Sequence, residues 1–464
     1  MPNALIICSD EHRADALGCA GHGLVKTPNL DRLAGRGVRF TNAYTPSPIC
    51  VPARAAMATG RYAHQTGYWD NAMAYDGRVP SWGHALREVR ASCVSIGKLH
   101  YRNVQDDTGF ARQIRPMHVK DGVGMIWGSV RDPLPEEPRT DDMLGPIGAG
   151  YSAYNAYDEA VACDAVTWLA EPPEEPWCLF TSFVAPHFPL TVPEEFLALY
   201  DDVPLPELRV EDGYTRHPWL ARMYAFFLHD ERLGSDEARK AAIRAYYGLC
   251  SFMDHQVGRV LDALQASGQA EETLVIYLSD HGECLGNRNA WGKSVLYGEA
   301  TRVPLILAGP GVNAGTCETP VDLTALAPTL ASVFDASWES GLDLRALAAG
   351  PDDRTRIAFS EYHAAGAPTG AFMVADADWA YHHYEGYAPE LFDLNADSGQ
   401  AVNLAGRAEH AATEARMKAA LLAICDPEAV NRAALAAQAA LVEASGGREA
   451  ALGIGPLGAT PVPE

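Results

Sequence analysis

Leu274-Val275-Ile276-Tyr277-Leu278, running directly into Ser279-Asp280-His281-Gly282-Glu283, joins a continuous apolar run to a cluster of polar and acidic residues. The apolar run does not alternate with polar residues, so it reads as a strand buried on both faces. The same texture recurs at Ala4–Cys8, Cys93–Ile96, Trp177–Val184 and Val303–Leu307. Helical patterns lie between these runs. The clearest spans Asp236 to Ala266, with Tyr246, Leu249, Met253, Val257, Val260 and Leu264 on one stripe. Such alternation predicts an α/β fold, a large mostly parallel sheet sandwiched by helices. In sheets of this kind, chemistry collects in loops beyond the carboxyl ends of the strands.

From about residue 336 the texture changes. Ile357–Tyr362, Ala371–Ala375, Trp379–His383 and Glu390–Leu394 are short, aromatic-rich and separated by turn residues, which predicts a small C-terminal antiparallel sheet. Ala-rich helices are expected near Glu409–Ile424 and Glu428–Glu443, followed by an extended Gly/Pro/Ala-rich tail. The expected organisation is a catalytic unit over 1–335, a small α+β unit over 336–425, and a helix with a tail over 426–464. The last piece has too few large apolar residues to fold alone, so it is expected on a neighbouring subunit of a homo-oligomer. Long irregular stretches over 103–150 and 188–235 are candidates for shaping a pocket.

The 464 residues are 48% hydrophobic and 21% charged, as in an ordinary globular enzyme. A net charge of −24 argues against nucleic acid or a polyanionic polymer as a partner. No run of about twenty apolar residues suggests a membrane span. Met1-Pro2-Asn3 leads straight into the first strand, without the pattern of a signal peptide. Ten cysteines are scattered without paired spacing, which suits reduced thiols and the cytoplasm.

Two strand ends deliver acids: Ser9-Asp10-Glu11 and Ser279-Asp280-His281. Adjacent carboxylates beyond a buried strand repel and lose solvation, and a bound cation relieves both penalties. Either pair alone would serve as a turn or a cap. The ligand set predicts one divalent ion, calcium because oxygen ligands dominate, with His281 leaving room for manganese or another transition metal. A third element is Pro48-Ile49-Cys50-Val51-Pro52-Ala53-Arg54. Pro52 suits a first helical turn, placing Cys50 at a helix N-terminus with Arg54 one turn later on the same face. Packing alone would also account for a cysteine there.

The segment from Cys50 to Gly60 resembles the sulfatase signature, Cys-x-Pro-Ser/Ala-Arg followed by a helix ending in Thr-Gly. Gly97-Lys98-Leu99-His100, Ala185-Pro186-His187-Phe188-Pro189, and Ser279 to Glu283 with Trp291-Gly292-Lys293 resemble further motifs of that family, in its order. The resemblance extends to about residue 405 and is strongest to choline sulfatases, arylsulfatases and phosphonate monoester hydrolases. It implies the alkaline-phosphatase-like fold. It also implies that a maturation enzyme oxidises Cys50 to formylglycine, whose hydrate attacks sulfur. Asp10, Asp280 and His281 would hold the metal with an oxygen of residue 50, and with Glu11 on the metal or beside it. Arg54 would help lower the nucleophile's pKa. Lys98 and Lys293 would clamp the sulfate, His187 would protonate the leaving oxygen, and His100 would be the base for sulfate release. Asn71 resembles a pocket asparagine of related hydrolases.

The substrate implied is a small sulfate ester of an aryl, alkyl or choline-like alcohol. A phosphonate monoester or phosphodiester hydrolase is the nearest rival, and a non-catalytic anion-binding protein a remote one. Trp127, Tyr214, Trp219, Tyr224 and Phe226 would stack on the alcohol or cage a quaternary ammonium, or else form the core of a lid. His363, His382 and His383 are read as structural.

Overall fold

The computed structural model describes residues 3–136, 144–202, 204, 214–227 and 229–463. Met1, Pro2 and parts of both irregular stretches lie outside the described residues.

An eight-stranded sheet forms the centre. Its strands are β1 (Asn3–Asp10), β2 (Val38–Phe40), β3 (Ser92–Lys98), β4 (Arg112–Met117), β5 (Trp177–Pro186), β6 (Thr273–Ser279), β7 (Leu305–Ala308) and β8 (Gly315–Cys317). They lie in the order β8-β2-β7-β6-β1-β5-β3-β4. The pairs β6-β1, β1-β5, β5-β3 and β3-β4 are parallel. The run expected at Val303–Leu307 is antiparallel to β6 as β7, and β2, β4 and β8 were not anticipated. The anticipated runs are those with side chains buried on both faces. β4 is half exposed and β8 largely so, which is why neither reads as a continuous apolar run.

Alternate residues of β1 feed two separate cores. Ala4, Ile6 and Cys8 pack with Ala55, Met57, Leu86 and Leu330 on one face. Leu5 and Ile7 pack with Val161, Leu169, Val257 and Val260 on the other. The second face is covered by Ala153–Ala170 and by the 31-residue helix Asp236–Ala266. The stripe predicted on that long helix is buried throughout. No helix among the described residues is long and apolar enough to cross a membrane.

The small sheet consists of β9 (Ala358–Tyr362), β10 (Ala371–Ala375), β11 (Trp379–Tyr384) and β12 (Glu390–Asp393), antiparallel in sequence order. Met417 and Leu421, from the helix Ala411–Ile424, cover one face of it.

The C-terminal segment corrects an expectation. The helix Pro427–Ala444 does not require a neighbouring subunit to rest on, because it packs on its own chain. Its alanines allow close approach, with Ala434 buried against Ala63 and Trp69. Polar groups do the rest. Gln438 donates to Asp70 and to the His363 carbonyl and accepts from Arg131. Asn431 accepts from the Gly370 N–H. The tail beyond is not simply extended: it forms a short helix, Arg448–Leu452, and then returns toward the end of the large sheet.

Candidate active site

β1 ends at Asp10, β3 ends at Lys98, and β6 is followed at once by Asp280 and His281. The parallel pairing of β1 with β6 aligns Ser9 with Ser279, so the two acidic strand ends meet. β3 reaches the cluster because Gly97 has φ 98°, and a Cβ there would lie 2.1 Å from the Ser182 carbonyl oxygen. Only glycine fits such a position. The helix Cys50–Thr59 starts at Cys50, with no side-chain cap on Ile49. Asn71 supplies an acceptor instead: its Oδ1 takes the Val51 N–H at 3.3 Å.

Cys50 Sγ lies 3.1 Å from His281 Nε2 and 3.6 Å from Asp10 Oδ1. His281 Nε2 is 3.6 Å from Asp10 Oδ1 and 3.7 Å from Asp280 Oδ1. The four residues thus offer ligand atoms that all lie within 4.8 Å of one another. Two further features fit a cation. His281 Nδ1–H donates to the Gly282 carbonyl at 3.0 Å, leaving the Nε2 lone pair for a metal. Glu11 Oε1 is buried with no hydrogen-bond partner among the described residues, a costly state for a carboxylate oxygen. Glu11 belongs to a second group of ligand atoms, with Asp10 and His187.

The cations around this cluster are buried and paired. Arg54 Nε donates to Asp280 at 2.7 Å, and its NH2 group contacts Asp10 at 3.3 Å. Its NH1 group donates to the Lys98 carbonyl and to Ser182. Arg54 therefore fixes both carboxylates in place. Lys98 Nζ sits 2.6 Å from Asp10 Oδ2, and Lys293 Nζ 2.8 Å from Glu11 Oε2.

Burial opposes the charge on Asp10, but Lys98, His187, Arg54 and Lys293 outweigh it and hold the carboxyl well below its usual range. Burial likewise opposes the charge on Lys293, and Cys50, Glu11 and Asp10 outweigh it and keep the amine protonated. Burial and Asp10 push the Cys50 thiol up to about 12 against the pull of Lys293 and Lys98. At neutral pH the thiol is protonated and a poor nucleophile. Burial and Lys293 keep His187 well below the usual histidine value. Its Nδ1–H donates to the Phe188 carbonyl at 2.6 Å, while Nε2 lies 3.4 Å from Glu11.

Above the cluster lies a pocket lined by Cys50, Asn71, Lys98, His100, His187 and Lys293 at its foot, with Met125, Trp127, Phe188, Tyr224 and Phe227 along its side. Of the aromatics singled out in the sequence, only Trp127 and Tyr224 reach this pocket. Trp219 is fully buried against Tyr362 and Tyr384. Phe226 supports Trp127 from behind, at 6.0 Å between ring centroids. Tyr214 does not line the pocket. His229 and the segment Leu457–Thr460 do. Neither was anticipated, because neither shows any local pattern.

The sulfatase family model matches residues 2–336. The chain belongs to the sulfatase family. A choline-sulfatase of Rhizobium meliloti is 31% identical over 434 residues, covering 87% of this chain and 82% of its own. An arylsulfatase of Clostridium perfringens is 26% identical over 457 residues, covering 88% and 91%. The crystal structure of a phosphonate monoester hydrolase of Agrobacterium radiobacter superposes with a TM-score of 0.73 at 23% identity, covering 91% of this chain and 95% of that one. At that identity the likeness concerns the fold, which this sulfatase shares.

Proposed function

We propose that this sulfatase hydrolyses the sulfate monoester of a small alcohol, using one divalent cation and a formylglycine made from Cys50 by a maturation enzyme. The observation that carries the reading is the meeting of Cys50 with Asp10, Asp280 and His281 at the foot of a pocket edged by Lys98 and Lys293.

Asp10, Asp280 and His281, with residue 50 and with Glu11 close by, would hold the cation, calcium by its mainly oxygen ligands, which when bound polarises the sulfuryl oxygens. Oxidised to formylglycine, residue 50 would supply the nucleophilic oxygen that a buried thiol does not. The rest falls to the chain's own groups. Lys98 and Lys293 attract and orient the anionic ester. Arg54, tied to Asp10 and Asp280, keeps the carboxylates from shifting. His187 holds its Nδ1 proton on Phe188, so Nε2 takes up and releases the mobile proton. An anionic ester beside it favours the imidazolium, which then protonates the leaving oxygen. His100 serves as the base on the sulfate side.

The leaving alcohol would rest against Trp127, Tyr224 and Phe227. No carboxylate lines the pocket among the described residues, which favours an aryl or alkyl group over a quaternary ammonium. The cysteines are all free, and all but Cys19 and Cys163 are buried, which supports a reducing compartment such as the cytoplasm.

Mass spectrometry of the Cys50 peptide from active protein should find the aldehyde. Cys50→Ser should fold yet lose about four orders of magnitude in steady turnover. Turnover at the wild-type rate by Cys50→Ser would end the reading. Paired rates on sulfate, phosphate and phosphonate esters of one alcohol should favour sulfate.

A further inference from the structure

Residues 454–460 form a strap whose Leu457–Thr460 part walls the pocket, although no motif marks them. Gly455 has φ 105°, and a Cβ there would lie 2.2 Å from the Gly124 carbonyl oxygen, so the strap passes close over that loop only because it carries glycine. Trp127 anchors this end, its backbone N–H on the Ile454 carbonyl and its indole N–H on the Pro456 carbonyl at 2.8 Å. At the other end the Tyr154 hydroxyl donates to the Thr460 carbonyl. Ala459 and Val462 pack against the same core as Leu5 and Ile7.

Thr460 is buried, and its Oγ1 lies 2.9 Å from His100 Nε2. The other ring nitrogen of His100, Nδ1, is buried and has no hydrogen-bond partner among the described residues. The backbone at His100 has a positive φ of 54°, so its ring direction is set by a sparsely populated conformation and by what the ring meets. Among the described residues, the only hydrogen-bond partner of the ring is Thr460.

We infer that Thr460 is a positioning residue for His100. Nε2–H of His100 donates to the Thr460 hydroxyl, which holds the ring in one orientation and one tautomer. Nδ1 is then the nitrogen left free, as a lone pair, for the reaction. The inference rests on the sulfate-ester reading for its kinetics, but not for its spectroscopy.

The test compares Thr460→Val with Thr460→Ser. By ¹⁵N NMR of histidine-labelled protein, with the His100 signals assigned through a His100→Gln control, the wild type should show the Nε2–H tautomer alone. Thr460→Val should show a mixture, and Thr460→Ser should restore the single form. On a small aryl sulfate, Thr460→Val should lower kcat about tenfold, the scale of one lost hydrogen bond, with KM within about twofold. Thr460→Ser should recover most of the rate, while Thr460→Ala, which demands no space beyond the native side chain, should repeat the loss. Wild-type kcat and an unchanged His100 signal in Thr460→Val would overturn the inference. So would equal losses in all three variants that merely follow their melting temperatures. If the wild type turned over no sulfate ester, the sulfatase reading would fall while the NMR comparison still decided the role of Thr460.

Discussion

In and just beneath the pocket floor, Asp10, Lys98 and Asp280 stand at or just past the ends of strands in one sheet. On its wall, Trp127, from the short 3-10 helix Ile126–Ser129, meets Phe227 and Leu457 from two loops far away in the chain. The floor is over-determined. Each strand is fixed by parallel ladders and by two cores, and Arg54 cross-links the carboxylates between them. The wall rests on a few contacts, such as the Trp127–Pro456 hydrogen bond and the tilted ring contact of Trp127 with Phe226. A rigid floor holds reacting groups in place, while a wall made of loops changes shape without disturbing them. The contrast predicts that floor substitutions abolish turnover and wall substitutions redistribute it among substrates.

Among substitutions that leave residue 50 intact, the largest effect is expected at Asp280. Asp280→Ala removes a carboxylate from the proposed cation site and an ion-pair partner that Arg54 holds at 2.7 Å. Bound divalent metal, measured by elemental analysis, should fall from one per chain to none, and kcat should drop by at least about a thousandfold. Melting temperature should fall too, because Arg54 remains buried with one ion-pair partner fewer. Normal activity with the metal gone would break the distinction between floor and wall.

A smaller effect is expected on the wall. Phe227→Ala should raise KM for a bulky aryl sulfate about tenfold, a loss of about 1.4 kcal/mol of apolar contact. Its kcat should stay within about twofold and its metal content should not change. A large fall in kcat with KM unchanged would show that the wall takes part in the chemical step.

The smallest effect on turnover is expected at Glu361 on β9, behind the wall. Burial would raise its pKa, but hydrogen bonds from His363 and His64 outweigh burial and hold it at about 2. The folded value lies below the unfolded one. The stabilisation is therefore present above about pH 4.5 and lost as pH falls toward 2. In urea unfolding, Glu361→Gln should cost about 2–3 kcal/mol at pH 6, and the gap from wild type should close by about pH 2. A gap that does not change with pH would show that packing, not the charge, is what Glu361 contributes.

Much of the floor was legible in the chain itself. The strands that carry Asp10, Lys98 and Asp280 announce themselves as continuous apolar runs, and the residues just beyond them form compact motifs. Periodicity did less well at the sheet margins. β4 and β8 are only partly buried, so their side chains do not all need to be apolar, and the strand expected at Val303–Leu307 gave no hint that it runs antiparallel. The packing of the tail on its own chain was not legible for a related reason. Its helix Pro427–Ala444 is short of large apolar residues, which suggested a neighbouring subunit, yet Ala434, Gln438 and Asn431 hold it to its own chain by close approach and hydrogen bonds.

The sequence by itself determined the fold class, the acids, the lysines and histidines of the floor, and the helix that begins at Cys50, because each depends on residues close together in the chain. Only the tertiary structure decided that Trp219 is core while Phe227 lines the pocket, that His229 reaches it, and that Thr460 meets His100 across 360 residues. Those contacts are set by how remote segments pack against one another. Short-range patterns of hydrophobicity and spacing carry no record of such packing.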